Sequence, residues 1–336
     1  KLFYPNLSAS KMDVQDLIRS LFFKTGINLT EPQKEAFYNM LNSDECEYVE
    51  GSSILPYVRD LSELATILAQ RGGNGTRPAT YYAIRRGLNE LARKIDSMEK
   101  ENKYQRNNMS SYDFEELPNP QMDPEKIISK NQISLVYLGG YDDLMQSTIV
   151  SHVLEKLFYA RSSSSLNKRI LPFQAVIEEA HNFCPPPREG SKDKPSLWTI
   201  RKIAREGRKW GVGLMLISQK PSGLDETSLS QCNTFMCMRL TNPRDQEFVR
   251  RVMEQISVED LNWLKAFGDG QGFISGQAVK FPVQIQVEHD SDLMGSYVGR
   301  EDFINEVNSF KKRKSQKKKE ENDNSLRSVI KKVSNG

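Results

Sequence analysis

Two carboxylates stand side by side at the end of an apolar run, Phe173-Gln174-Ala175-Val176-Ile177-Glu178-Glu179. A sheet interior holds an unpaired charge only at a cost of several kcal/mol, so the pair needs a cation or a water-filled mouth. In nucleotide hydrolysis one such carboxylate holds the hydration shell of magnesium while its neighbour polarises the attacking water. A second apolar run, Leu214-Met215-Leu216-Ile217, ends in Ser218-Gln219. A neutral amide there senses a terminal phosphate or orients water without adding charge. Between the two runs Arg201, Arg205 and Arg208 recur at i, i+4 and i+7 and share one helix face. Three like charges on a face repel, and the pattern suits an anionic partner such as a nucleotide held by a neighbouring subunit. Each feature also has a plainer reading: a solvated acid pair, turn chemistry before Pro221, a solvated basic face.

The elements that must position these groups alternate. Ile133–Leu138 reads as a strand, and a helix follows through Ile149, Val153, Leu157 and Phe158. Phe173–Ile177, Leu214–Ile217 and Thr234–Leu240 read as further strands, with helices over 196–209 and from Asn242-Pro243. Ser257 with Asp260 caps one more helix, and Phe273-Ile274 with Val283, Ile285 and Val287 reads as a closing hairpin. Nearly continuous apolar strands alternating with helices predict an α/β fold whose mostly parallel sheet is covered on both faces. Ligands in such sheets sit at the carboxyl ends of the strands.

Upstream the pattern is helical. Val14, Leu17, Ile18 and Leu21 repeat at helical spacing, Thr30-Glu31-Pro32-Gln33 forms a capping box, one helix starts at Asp60 and a longer one at Pro78. The division expected is a core strand over 1–7, an all-helical subdomain over 8–98, a polar linker over 99–130, the α/β core over 131–300 and a basic tail over 301–336.

The 336 residues carry a net charge of +3, but residues 311–332 alone hold ten Lys/Arg against three Asp/Glu. That is a local +7, leaving about −4 for the rest, so a uniformly basic DNA-coating protein is excluded. No apolar run approaches the roughly 18 residues of a membrane span. Cys46, Cys184, Cys232 and Cys237 lack disulfide-framework spacing and read as structural thiols in a reducing, cytoplasmic compartment. His152, His181 and His289 are too scattered for a metal site.

In this order (strand-Glu-Glu, arginine-striped helix, strand-Ser-Gln) the chain resembles the HerA branch of the FtsK/HerA superfamily of hexameric DNA-pumping ATPases. The resemblance lies in AVIEEAHNF at 175–183, IAREGRKWGVGLMLISQKPSGLD at 203–225, MRLTNPRDQEF at 238–248, GFISGQAVKFPVQIQV at 272–287 and FYPNLSASKMDVQDLIRSLF at 3–22. It implies a RecA-like core and ATP with Mg2+ as cofactors. It makes Glu178 the Walker B carboxylate near magnesium, Glu179 the catalytic glutamate, Gln219 the polar sensor, and Arg205 or Arg208 the finger acting in trans. Arg201 and Arg239 are weaker candidates for nucleotide or interface contact. It further implies a homo-oligomeric ring, expected to be hexameric, that acts in double-strand break end resection and works with a nuclease of the NurA type.

The phosphate-cradling G-x-x-x-x-G-K-[ST] loop is absent: no glycine is followed by lysine. The chain opens at Lys1-Leu2-Phe3-Tyr4-Pro5 as though inside a strand, and the expectation is a C-terminal fragment whose P-loop and barrel domain lie upstream. Arg188, Lys192 and Lys194, in the stiff loop 184–195, are candidates to grip the DNA phosphate backbone without sequence specificity. The alternatives are a coupling ATPase that pumps DNA or protein through a secretion channel, and a catalytically silent oligomerisation module.

Overall fold

The computed structural model describes residues 1–5, 15, 18, 29–48, 53–72, 76–108, 113–118, 120, 123–163, 170–187, 194–253 and 257–288. Arg188, Lys192, the tail 301–336 and most of the helix expected near Val14–Leu21 lie outside the described residues. The chain divides into two compact units, Lys1–Gly268 with Gly272–Gln284, and Asp269–Gln271 with Ile285–Gly336. In the second, the Val287 amide donates to the Gly270 carbonyl at 2.8 Å.

The first unit begins with β1 (Leu2–Tyr4), α1 (Glu31–Leu41), α2 (Ile54–Arg71) and α3 (Pro78–Asn108). Gln33 reaches back to the Thr30 amide, 2.9 Å, closing the expected capping box at the start of α1. Helix α2 starts at Ile54, six residues before the expected Asp60. Ser53 Oγ accepts from the Leu55 amide at 3.1 Å, and Pro56 falls in the first turn, where a missing amide proton is harmless.

The expected linker over 99–130 is corrected by the structure. Helix α3 runs on to Asn108, β2 (Phe114–Glu116) pairs parallel with β1, and α4 (Pro124–Ile127) follows. The composition there is polar because α3 needs only one apolar stripe, which continues through Ile95 and Met98 to Asn102. Asn102 is 3% exposed and donates to Tyr141 Oη at 2.6 Å, and Tyr141 donates to the Pro5 carbonyl at 2.7 Å.

The chain continues through β3 (Leu135–Val136), α5 (Asp143–Ser162), β4 (Phe173–Ile177), α6 (Pro195–Trp210), β5 (Val212–Leu216), α7 (Glu226–Leu229), β6 (Thr234–Met238), α8 (Pro243–Val252), α9 (Val258–Ala266), β7 (Gln271–Gly276) and β8 (Val283–Gln286). The ladders run β2-β1-β3, β4-β5 and β6-β7-β8. The first two are parallel, and β6 pairs antiparallel with β7. The α/β class expected from the alternation is observed. The helical region does not have a core of its own: Leu61, Leu88 and Ile95 share one cluster with Met145, Ile149 and Val153 of α5.

Burial alternates along the strands among the described residues: Ile177 and Val212 are buried, whereas Val176, Met215 and Met236 are 54%, 46% and 53% exposed. An apolar residue on a strand reports β propensity whichever face it occupies, so the runs looked buried throughout.

Close packing on the covered face depends on Gly207. A Cβ there would run into the Val212 carbonyl oxygen as α6 turns into β5. Gly211 then ends α6 at φ +71. Gly207→Ala is expected to lower stability by roughly 1–3 kcal/mol, the range for overpacking, read as a lower urea midpoint at unchanged m-value.

Candidate functional site

Strands β4 and β5 lie parallel and in register, from Phe173↔Val212 to Ile177↔Leu216. Their carboxyl ends therefore finish side by side. The pairing continues one step past the strands, with the Ile217 amide on the Ile177 carbonyl at 3.0 Å and the Ala180 amide on the Ile217 carbonyl at 2.8 Å. This places Glu178-Glu179 next to Ser218-Gln219.

Glu179 has φ 46 and ψ 46, the left-handed region. For a residue with a Cβ this costs about 1–2 kcal/mol, and such strain clusters at functional sites. It turns the chain from β4 into the short 3-10 helix Ala180–Asn182. Gln219 Nε2 donates to Glu179 Oε1 at 2.9 Å. The other oxygen, Oε2, is shielded from solvent and makes no full hydrogen bond. It lies 3.3 Å from His181 Nδ1, which is 3.1 Å from Ser218 Oγ. Glu178 is exposed beside this group.

The arginines of α6 separate. Arg201 is bidentate to Asp225, Nε to Oδ2 at 2.9 Å and Nη2 to Oδ1 at 2.7 Å. Their side chains are 14% and 2% exposed. Asp225 also accepts from the Ser228 amide and hydroxyl at 2.9 and 2.8 Å. Burial pushes its carboxyl upward, but the hydrogen bonds from Arg201 and Ser228 outweigh that and hold it below the ordinary 3.8. Arg205 and Arg208 are exposed, so the stripe read as one face consists of a pinned residue and two outward ones. Arg239 is exposed directly after β6.

Lys194 occupies the N-cap position of α6 without a side-chain cap to the helix. Its Nζ donates to the Asn182 carbonyl at 2.5 Å and lies 3.8 Å from Asp143 Oδ2, which ties it to the segment that follows Glu179. Burial pushes the Cys184 thiol up to about 11 and Cys237 to about 12, the behaviour of inert structural thiols. Sequence reasoning missed His181, Ser218 and Asp225 as partners of the site. His181 and Ser218 adjoin residues it did single out, whereas nothing local marks Asp225 as the partner of an arginine 24 positions away.

Among the described residues, no cluster of three or more His, Cys, Asp or Glu is arranged to hold a metal, and no helix is long and apolar enough to cross a membrane.

No family model matches the chain. It is 40% identical over 124 residues to the DNA double-strand break repair helicase HerA of Pyrococcus furiosus, covering 37% of this chain and 22% of that protein. It is 29% identical over 283 residues to the protein of the same name from Sulfolobus acidocaldarius, covering 72% and 55%. The chain thus spans between about a fifth and a little over half of these relatives. The structure of VirB4 of Thermoanaerobacter pseudethanolicus superposes with a TM-score of 0.50 at 12% identity, covering 87% of this chain and 83% of that one. The resemblance to HerA helicases is borne out in sequence, and the α/β fold is that of the VirB4 structure.

Asp225→Ala is expected to cost about 3–5 kcal/mol by removing the carboxylate that offsets the largely shielded Arg201 guanidinium. A carboxyl held below 3.8 in the folded protein contributes stability above that pH and loses it as pH falls through the folded value. Urea unfolding at pH 7 and pH 3 should therefore separate wild type from variant widely at pH 7 and less at pH 3.

Proposed function

We propose that the chain carries the hydrolytic half of an ATP-driven DNA translocase or helicase motor of the HerA type. The observation that carries this is the 2.9 Å contact between Glu179 and Gln219 at adjacent strand ends, with Glu179 held in the left-handed region. The similarity to proteins named as DNA double-strand break repair helicases supports a role in DNA end processing, and a hexameric ring and a NurA-type nuclease partner belong to the same proposal.

The residues fit magnesium. Glu178 is an exposed carboxylate directly after β4; magnesium takes one or two carboxylates alongside phosphates and waters rather than a protein cage. When bound with a triphosphate, it neutralises charge on the phosphate oxygens. The 336 residues contain no G-x-x-x-x-G-K-[ST] loop, so these residues supply the water-activating side and not the phosphate cradle.

Glu179 is the carboxylate that polarises water, and Gln219 holds its Oε1 and fixes the carboxylate's direction. His181, between Glu179 and Ser218, keeps the two strand ends in step. Arg205 and Arg208 project outward, where a triphosphate on a neighbouring subunit is within their remit. Arg201 is committed to Asp225 and serves to anchor the helix that presents them. Identity to named helicases favours this motor over a secretion-type coupling ATPase, since the VirB4 likeness speaks to fold alone.

In the full-length gene product, Glu179→Gln should lower ATP turnover by about 10²–10⁴, the range for a general base, while nucleotide binding and assembly persist. Turnover near wild type would overturn the assignment and favour a silent oligomerisation module. Arg205→Ala should lower turnover by about 10³–10⁵. Mixing Arg205→Ala with Glu179→Gln subunits should restore part of it, because some interfaces then pair an intact arginine with an intact glutamate. No rescue at any ratio would argue against action in trans.

A further inference from the structure

A second concentration of basic charge lies on α3, away in sequence from the residues above. Tyr82, Arg85, Arg86, Asn89, Glu90 and Arg93 line a cavity of about 480 Å³. They form one broad stripe about 16 Å long at 1.5 Å per residue. Its direction is set by the opposite face, where Ile84, Leu88, Leu91 and Ile95 are at most 1% exposed. Asn89 is held by Ser62 Oγ at 2.8 Å, so α2 braces the stripe.

The lining holds three guanidiniums and one carboxylate. Glu90 and Arg93 sit 3.4 Å apart with side chains 49% and 79% exposed, a solvent-screened pair that an incoming anion readily displaces. Among the described residues neither Arg85 nor Arg86 is paired with a carboxylate. Tyr82 leaves 46% of its surface exposed. An aromatic face beside unpaired guanidiniums is the combination that holds single-stranded nucleic acid: phosphates on the cations, a base stacked on the ring. An acidic peptide would use the arginines but gives the ring nothing to stack.

We propose that this stripe is a nucleic-acid contact, with Arg85, Arg86 and Arg93 on the phosphates and Tyr82 stacking a base of a single strand. It rests on the DNA-motor assignment and adds to it a surface outside the 184–195 loop.

The test is fluorescence anisotropy of the 336-residue chain with a labelled oligo-dT and with a duplex of equal length, across a salt series. The double variant Arg85→Ala/Arg86→Ala should weaken oligo-dT binding about tenfold and flatten the log–log salt slope by about 1.4, since each lost phosphate contact on a single strand removes about 0.7. Tyr82→Ala should weaken oligo-dT binding roughly 5- to 150-fold and leave duplex binding within about twofold, while Tyr82→Phe retains both. Circular dichroism checks the fold. Should the alanine pair unfold, Arg86→Glu, at an exposed position, gives the same readout. Unchanged affinity and slope in the arginine variants would overturn this site and leave the motor assignment standing. A wild-type chain that binds neither DNA would take both down, and loss of polyglutamate binding alone in the arginine variants would identify an acidic protein partner instead.

Discussion

The in-register parallel pairing of β4 with β5 is the constraint on which the site depends. Each strand ends in polar residues that an apolar sheet cannot absorb, and the shared register delivers both ends to one place. A slip of one residue would turn every side chain to the other face and separate Glu179 from Gln219. The left-handed Glu179 is the price of the geometry: it stores a little strain to aim a carboxylate at the neighbouring strand end. Gly207 contributes from the other side, letting α6 approach the start of β5 closely at Val212.

The Arg201–Asp225 pair organises the second half of the site. It connects the middle of α6 to the start of α7, and the Asp225 amide donates to the Cys184 carbonyl at 2.8 Å. The helix bearing Arg205 and Arg208 is thereby tied to the segment that follows Glu179. A buried pair of this kind contributes less to net stability than its geometry suggests, because both charges lose water. Its value lies in fixing where the helix stands.

The capping box at Thr30, the start of α8 at Asn242-Pro243 and the α/β alternation were all legible, because each rests on local chemistry: a side chain closing on a nearby amide, or a period of apolar residues. The adjacency of Glu179 and Gln219 was legible at one remove, through strand-end polarity. The 99–108 extension of α3 was not, since its buried Asn102 finds its partner in Tyr141, 39 positions away. The exposure of Val176, Met215 and Met236 was equally hidden, because they carry the same residue types as buried strand positions.

By itself, then, the sequence determined which residues carry charge, which runs become strands and helices, and which chemistry two acids and an amide at strand ends suit. Only the tertiary structure decided which arginine of α6 is pinned and which two face outward, since helical spacing places Arg201, Arg205 and Arg208 alike. A carboxylate 24 residues downstream separates them, and long-range pairing is a property of the folded chain rather than of any window along it.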